Sequence, residues 1–250
     1  MSTESSVPLF GRTRTVVGAR HALLAPDGHV PSAFPGWEGC TAYVLLSPAM
    51  GARLSQLLVV FQEEGRAVFS ADEHEHVFYL EAGSCRLLSA GDERALSSGG
   101  FGFVPAGQEL SLEGVAGTRL TVFRKVFQPH PELAPPPLLT GSADEVPDEP
   151  FLGNEGARLQ TLLPVDPRFD LAMNLFTYRP GATLPFVETH IMEHGLLMLS
   201  GQGVYRLEES YYPVQAGDAI WMAPYCPQWF VAMGEAPASY LYYKDVHRMP

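Results

Sequence analysis

The residues of this chain best placed to do chemistry are Glu188, His190 and His194. They fall at even intervals in the run Glu188-Thr-His190-Ile-Met-Glu193-His194-Gly195, so on one extended strand all three side chains would share a face. A carboxylate and two neutral imidazoles give a divalent cation one compensating charge and two nitrogen donors. Such a set leaves coordination positions open for water or substrate, which suits a reactive site better than a sealed structural one.

Two other readings of the same stretch are weaker. His190-Ile-Met-Glu193-His194 matches the H-x-x-E-H pattern of the inverted zinc peptidases, in which two His share a helical face. Pro180, Gly181, Pro185, Gly195, Gly201 and Gly203 crowd the segment, however, and leave no window of ordinary helical length. The other reading makes the two His hydrogen-bonding groups of a core, which a lone His usually is; a Glu at same-face spacing argues against it.

The elements that must hold these residues are strands. Glycine (24) and proline (22) are abundant and lysine is scarce, which points to many short strands joined by turns. A length of 250 residues with 46% hydrophobic content suffices for one large β domain or two small ones. The net charge of −12 disfavours a nucleic-acid or anionic-membrane surface as a partner. Cys40, Cys85 and Cys226 are odd in number and lack CxxC spacing, so neither a disulfide framework nor a zinc ribbon is expected. With no basic and apolar leader and no membrane-length apolar run, a cytoplasmic location is the expectation.

Along the chain, residues 1–50 read as an N-terminal arm with turn signals at Pro26-Asp-Gly28 and Pro35-Gly36. Strands are expected at Leu54–Phe61, Val77–Glu81, Arg86–Leu88, Phe101–Pro105 and Leu120–Phe123, giving a first β domain over 51–127. Residues 128–150, with Pro135-Pro-Pro137 and an acidic run, read as a linker, and 151–250 form the second domain. The second domain repeats the first. Gly83 and Gly201 are 118 residues apart, as are Gly99 and Gly217. In this register Glu188 projects onto Ser70, His190 onto Asp72, His194 onto His76 and Gln228 onto Leu110, while His74 falls outside the ligand slots. The first copy is therefore expected to be a metal-free scaffold.

These residues carry a resemblance to the cupins, whose motifs are G-x5-H-x-H-x3-4-E-x6-G and G-x5-P-x-G-x2-H. Glu188, His190 and His194 occupy the three ligand slots before Gly201, and Gln228 takes the last slot, eleven residues after Gly217. Glu replaces the first His, His the Glu, and Gln the final His, while Ala223 and Tyr225 stand where Pro and Gly are usual. The resemblance implies an all-β bicupin, two tandem antiparallel β-barrels of jelly-roll type, with one metal site in the second.

The Glu, His, His, Gln set on a duplicated barrel, with Ala-Leu-Leu-Ala-Pro-Asp-Gly28 in the arm, is similar to the (S)-ureidoglycine aminohydrolases, a manganese-dependent family. That likeness implies one Mn2+ per chain on Glu188, His190, His194 and Gln228. It implies substrate contacts from Tyr240 and Lys244 as well as from Glu188 and Gln228, and catalytic roles for Glu188 and Lys244. The substrate would be a small molecule carrying an amine and a carboxylate on one carbon, deaminated hydrolytically. Lys125 and Lys244 are the only lysines among 16 basic residues, and Lys125, in the metal-free copy, is expected to matter little to the rate. Self-association through exposed strand edges is expected of such barrels. Other cupin enzymes, such as dioxygenases or isomerases, and non-catalytic ligand-binding bicupins are the alternatives.

Overall fold

Strand periodicity dominates the molecule because its apolar residues alternate. In the strand Arg119–Val126, Leu120 and Val122 point into one core and Phe123 into another. The computed structural model describes residues 13–246. Every strand pairing is antiparallel, and the helical segments among the described residues are three short 3-10 turns.

The strands build two barrels in tandem. The first is a sheet in the order Leu139–Ser142, Gly100–Val104, His74–Ala82, Arg119–Val126, Leu54–Phe69, Leu110–Gly114, Ser84–Ser89, Asp92–Ser97, with Glu38–Leu46 also paired to Leu54–Phe69. The second has one sheet running from Val16–Val17 and His21–Leu24 through Ala219–Met222, His194–Ser200, Ala238–Asp245, Leu171–Tyr178 and Asn154–Thr161 to Glu149–Phe151. Ser210–Gln215, Gln202–Leu207 and Gln228–Met233 form its other sheet. Separate apolar clusters fill each barrel, and a third, including Leu46, Leu54, Phe123, Trp221 and Tyr243, lies between them.

The 118-residue repeat is visible in the backbone. Gly83 and Gly201 have φ of +82° and +71°, and a Cβ on either would meet backbone atoms at 2.7 Å or closer. No residue with a side chain fits there without displacement. The repeat also reaches further than the barrels proper. His21–Leu24, in the stretch read as an arm, pairs with Ala219–Met222 of the second barrel, and Leu139–Ser142, in the stretch read as a linker, pairs with Gly100–Val104 of the first. Each copy thus lends its leading strand to the other copy's barrel, while Glu38–Leu46 of the same arm belongs to the first.

One difference between the copies creates the site. In the first, Leu54–Phe69 runs unbroken for 16 residues and pairs with both Arg119–Val126 and Leu110–Gly114. In the second, the corresponding strand stops at Tyr178, before Pro180 and Gly181, and the chain from 183 to 190 is held by two isolated bridges, Thr183 to Val231 and Glu188 to Gln228. Proline has no N–H to give the ladder, so beyond Tyr178 the chain keeps only intermittent backbone bonds to Gln228–Met233.

Candidate metal and substrate site

The three residues expected on one strand do not share one. Among them only His194 lies in a strand, at the start of His194–Ser200, while Glu188 and His190 sit in the irregular approach to it. They are brought together by tertiary contacts rather than by side-chain alternation. Glu188 exchanges backbone hydrogen bonds with Gln228 at 2.8 and 2.9 Å, and the amide of Tyr225 donates to the His190 carbonyl at 2.7 Å. Tyr225 holds that position with φ of +61°, a left-handed conformation that accounts for the Gly usual there.

His190 Nε2 lies 2.9 Å from His194 Nε2, and the side-chain amide of Gln228 lies 3.2 and 3.3 Å from the two nitrogens. His194 and Gln228 are buried. Burial lowers the pKa of both imidazoles, and for each the positive charge of Lys244 adds to the effect. They are therefore neutral at pH 7, with ring lone pairs available to a cation.

Glu188, half-buried, lines the same cavity, and burial raises its pKa against the opposing pull of Lys244. Its carboxylate does not fall within 4.8 Å of both imidazole donors at once. Among the described residues the carboxylate and His grouping that does is Asp72, Glu73 and His74 in the first barrel. There Asp72 is already engaged by Arg124 and by His74.

Lys244 stands directly across the strand from His194, and Tyr240 is two alternations away on the same face. Both line a cavity of about 120 Å³ together with Glu188, His190, His194 and Gln228. Phe151, Phe176, Leu184, Tyr205 and Tyr242 complete much of the wall. Tyr240 Oη is 3.0 Å from Tyr178 Oη, and Tyr205 Oη donates to Gln228 Oε1 at 3.0 Å. The space suits a small polar solute and excludes a nucleotide or peptide. Phe151 and Tyr205 escaped the sequence reading, because an aromatic on an alternating strand is ordinarily core.

The donors suit a divalent ion. Nitrogen atoms on neighbouring corners of an octahedron with ligands near 2.1 Å are about 3.0 Å apart, close to the separation of the two imidazoles. A half-turn of the Gln228 amide presents Oε1 to the same point and gives Nε2 to Tyr205 Oη, which can accept as well as donate.

The first barrel lacks the set. His76 pairs across its strands with Arg124 and Val104, as His194 does with Lys244 and Met222, so His76 is the counterpart of His194. Leu110 stands opposite Phe69, where Gln228 stands opposite Glu188. The pairing therefore puts Phe69, one residue from the projected Ser70, in Glu188's place. Its ring packs on His76 at 4.9 Å between centroids.

The cupin domain family matches residues 174–243, a span that contains Glu188, His190, His194, Gln228 and Tyr240. A protein of Oryza sativa subsp. japonica described as a probable (S)-ureidoglycine aminohydrolase is 36% identical over 249 residues, covering 97% of this chain and 78% of that protein. The chain belongs to the (S)-ureidoglycine aminohydrolase family. The Escherichia coli (strain K12) member is 34% identical over 96% of this chain and 94% of its own length. Among solved structures, Escherichia coli protein Ylba superposes with a TM-score of 0.85 at 32% identity, over 95% of this chain and 96% of that one. An oxalate decarboxylase of Bacillus subtilis aligns with a TM-score of 0.70 at 13% identity, over 91% of this chain and 78% of that one, a likeness of fold. Within the aminohydrolase family frame, the break after Tyr178 and the bridge from Glu188 to Gln228 are the local features that build this chain's cavity.

Proposed function

We propose that this chain hydrolyses (S)-ureidoglycine to (S)-ureidoglycolate and ammonia, as an enzyme of purine catabolism that uses one Mn2+ per chain. The observation that carries the reading is the convergence of His190, His194 and Gln228 at one point, with Lys244 across the strand from His194. His190, His194 and Gln228 would hold the metal, joined by Glu188 once its carboxylate turns toward the imidazoles, and the two oxygen donors of that set would favour Mn2+ over zinc. When bound, the ion supplies Lewis acidity and a fixed point for a chelating amine and carboxylate.

The protein's own groups do the rest. Lys244 offers a cation to the substrate carboxylate, and Tyr240 offers a hydroxyl on the same wall. A carbon held by its carboxylate at Lys244 and its amine near the imidazoles presents one face to water, so the hand of the product follows from the site. In the reaction the bond from carbon to the amine nitrogen breaks and a bond from carbon to water oxygen forms. Glu188, on the cavity wall, would take the proton that water loses and pass it to the departing nitrogen, which leaves as ammonia.

Self-association and a cytoplasmic location complete the proposal. Val16–Val17 forms a sheet edge, with Val17 exposed, and no helix among the described residues is long and apolar enough to cross a membrane. The activity is tested by ammonia release from freshly generated ureidoglycine. Manganese-loaded protein should release it, chelator-stripped protein should not, and added Mn2+ should restore it. Equal release with and without metal would refute the metal's role.

A further inference from the structure

The first barrel touches the site-bearing strand closely. Glu193, which precedes His194, is fully buried and points away from the cavity, toward the first barrel. Its two carboxylate oxygens accept from the backbone amide of Arg53 at 2.9 and 3.0 Å, and one also accepts from Trp221 Nε1 at 2.7 Å. The Glu193 amide donates to Asp245 Oδ1, and the Asp245 amide donates to the Glu193 carbonyl at 3.3 Å. Asp245 follows Lys244, so the Glu193 backbone, next to a proposed ligand, is tied to the neighbour of the proposed substrate cation, while the Glu193 carboxylate is tied to Arg53 and Trp221.

The contact continues along the strand. A Cβ on Gly195 would meet Leu54 Cδ1 at 3.0 Å, Gln56 Oε1 at 3.1 Å and Leu46 Cδ1 at 3.2 Å, all from the first barrel. Gln56 Nε2 then donates to the Leu196 carbonyl at 3.3 Å. Glu193, Gly195 and Leu196, on either side of His194, are therefore seated on a surface made by Leu46, Arg53, Leu54 and Gln56.

We infer that the first barrel acts as a brace, with Glu193 as the positioning residue that fixes His194 and, through Asp245, Lys244. The inference rests on the reading of Glu188, His190, His194 and Gln228 as metal ligands. A neighbour that orients a ligand commonly changes metal affinity by ten- to a hundredfold when removed. The Arg53 contact with Glu193 is made by its amide, and its guanidinium lies 3.5 Å from Asp245 Oδ2. Glu193→Gln keeps the shape but turns an NH2 group toward an N–H donor.

The test is Mn2+ titration of chelator-stripped full-length protein, with free Mn2+ read from its electron paramagnetic resonance signal. Glu193→Gln and Gly195→Ala should each weaken binding on the order of ten- to a hundredfold. Trp221→Phe, which removes only the indole donor, should weaken it less and serves if Glu193→Gln does not fold. Leu112→Ala, a cavity in the first barrel's own core, should lower Tm and leave Mn2+ affinity as in the parent. His194→Ala reports separately on the ligand reading. Loss of Mn2+ in His194→Ala with parental affinity in the Glu193 and Gly195 variants, or equal weakening by Leu112→Ala, overturns the brace.

Discussion

Glu188 and Gln228 exchange both backbone hydrogen bonds, and Phe69 and Leu110 make the same crossing in the first barrel. An acid and an amide face the cavity in one copy, and two apolar side chains take their places in the other. The proposed single metal per chain follows from this substitution. Elemental analysis of purified protein should find one tightly held metal, and Gln228→Ala should reduce metal retention and activity together. Two metals per chain, or an unchanged metal content in Gln228→Ala, would contradict the ligand set.

Lys244→Ala should lower kcat/KM on the order of a hundredfold or more, since leaving a buried anion without its charged partner typically costs a few kcal/mol. Metal content and folding should stay intact, so the defect would be read as catalytic. Lys244→Arg should recover only part of the loss, because the planar guanidinium is bulkier and differs in reach. Steady-state kinetics beside elemental analysis checks both variants.

Lys125, expected to matter little to the rate, has a structural role in holding the two barrels together. Its ammonium is buried against Asp170, whose Oδ2 also accepts from the amide of Gln128 at 2.7 Å, and the pair ties the first barrel to the second. Removing one partner of a buried pair strands the other charge, so Lys125→Ala should destabilise the protein by about 3–5 kcal/mol. Denaturant unfolding should show this as a lower midpoint, with metal affinity of the folded protein retained.

His76 gives a pH prediction. Its ring is fully buried, neither nitrogen has a hydrogen-bond partner, and burial depresses its pKa from 6.5 to about 3. The unfolded chain takes up a proton below pH 6.5 that the folded chain refuses. This contribution to stability is therefore complete above pH 6.5 and falls as pH drops toward 3, by roughly 2 kcal/mol at pH 5. His76→Leu should flatten the acid limb of the stability profile between pH 6.5 and 4, measured by denaturant unfolding at a series of pH values.

The repeat was legible because Gly83 and Gly201 occupy backbone conformations that exclude other residues, so the spacing survives in the sequence. The site residues were legible by type, and the structure brings His190, His194, Gln228, Tyr240 and Lys244 to one cavity with Glu188. Their geometry was not legible. Alternation suggested one strand, whereas the chain is irregular from Thr189 to Glu193 and the convergence depends on partners dozens of residues away. The crossed strands His21–Leu24 and Leu139–Ser142 were hidden for a similar reason, since a short apolar run carries no mark of which barrel it joins. Glu193 reads in sequence as part of a helical zinc motif; only its contacts with Arg53 and Trp221 turn it toward the other barrel.

The central claim is that this cavity exchanges amine for water on one face of a single carbon. The most direct measurement is the chirality of ureidoglycolate formed from freshly generated ureidoglycine by manganese-loaded protein, followed alongside ammonia release. The account predicts the (S) product alone, formed in step with ammonia. A racemic product at the rate seen without protein would contradict it.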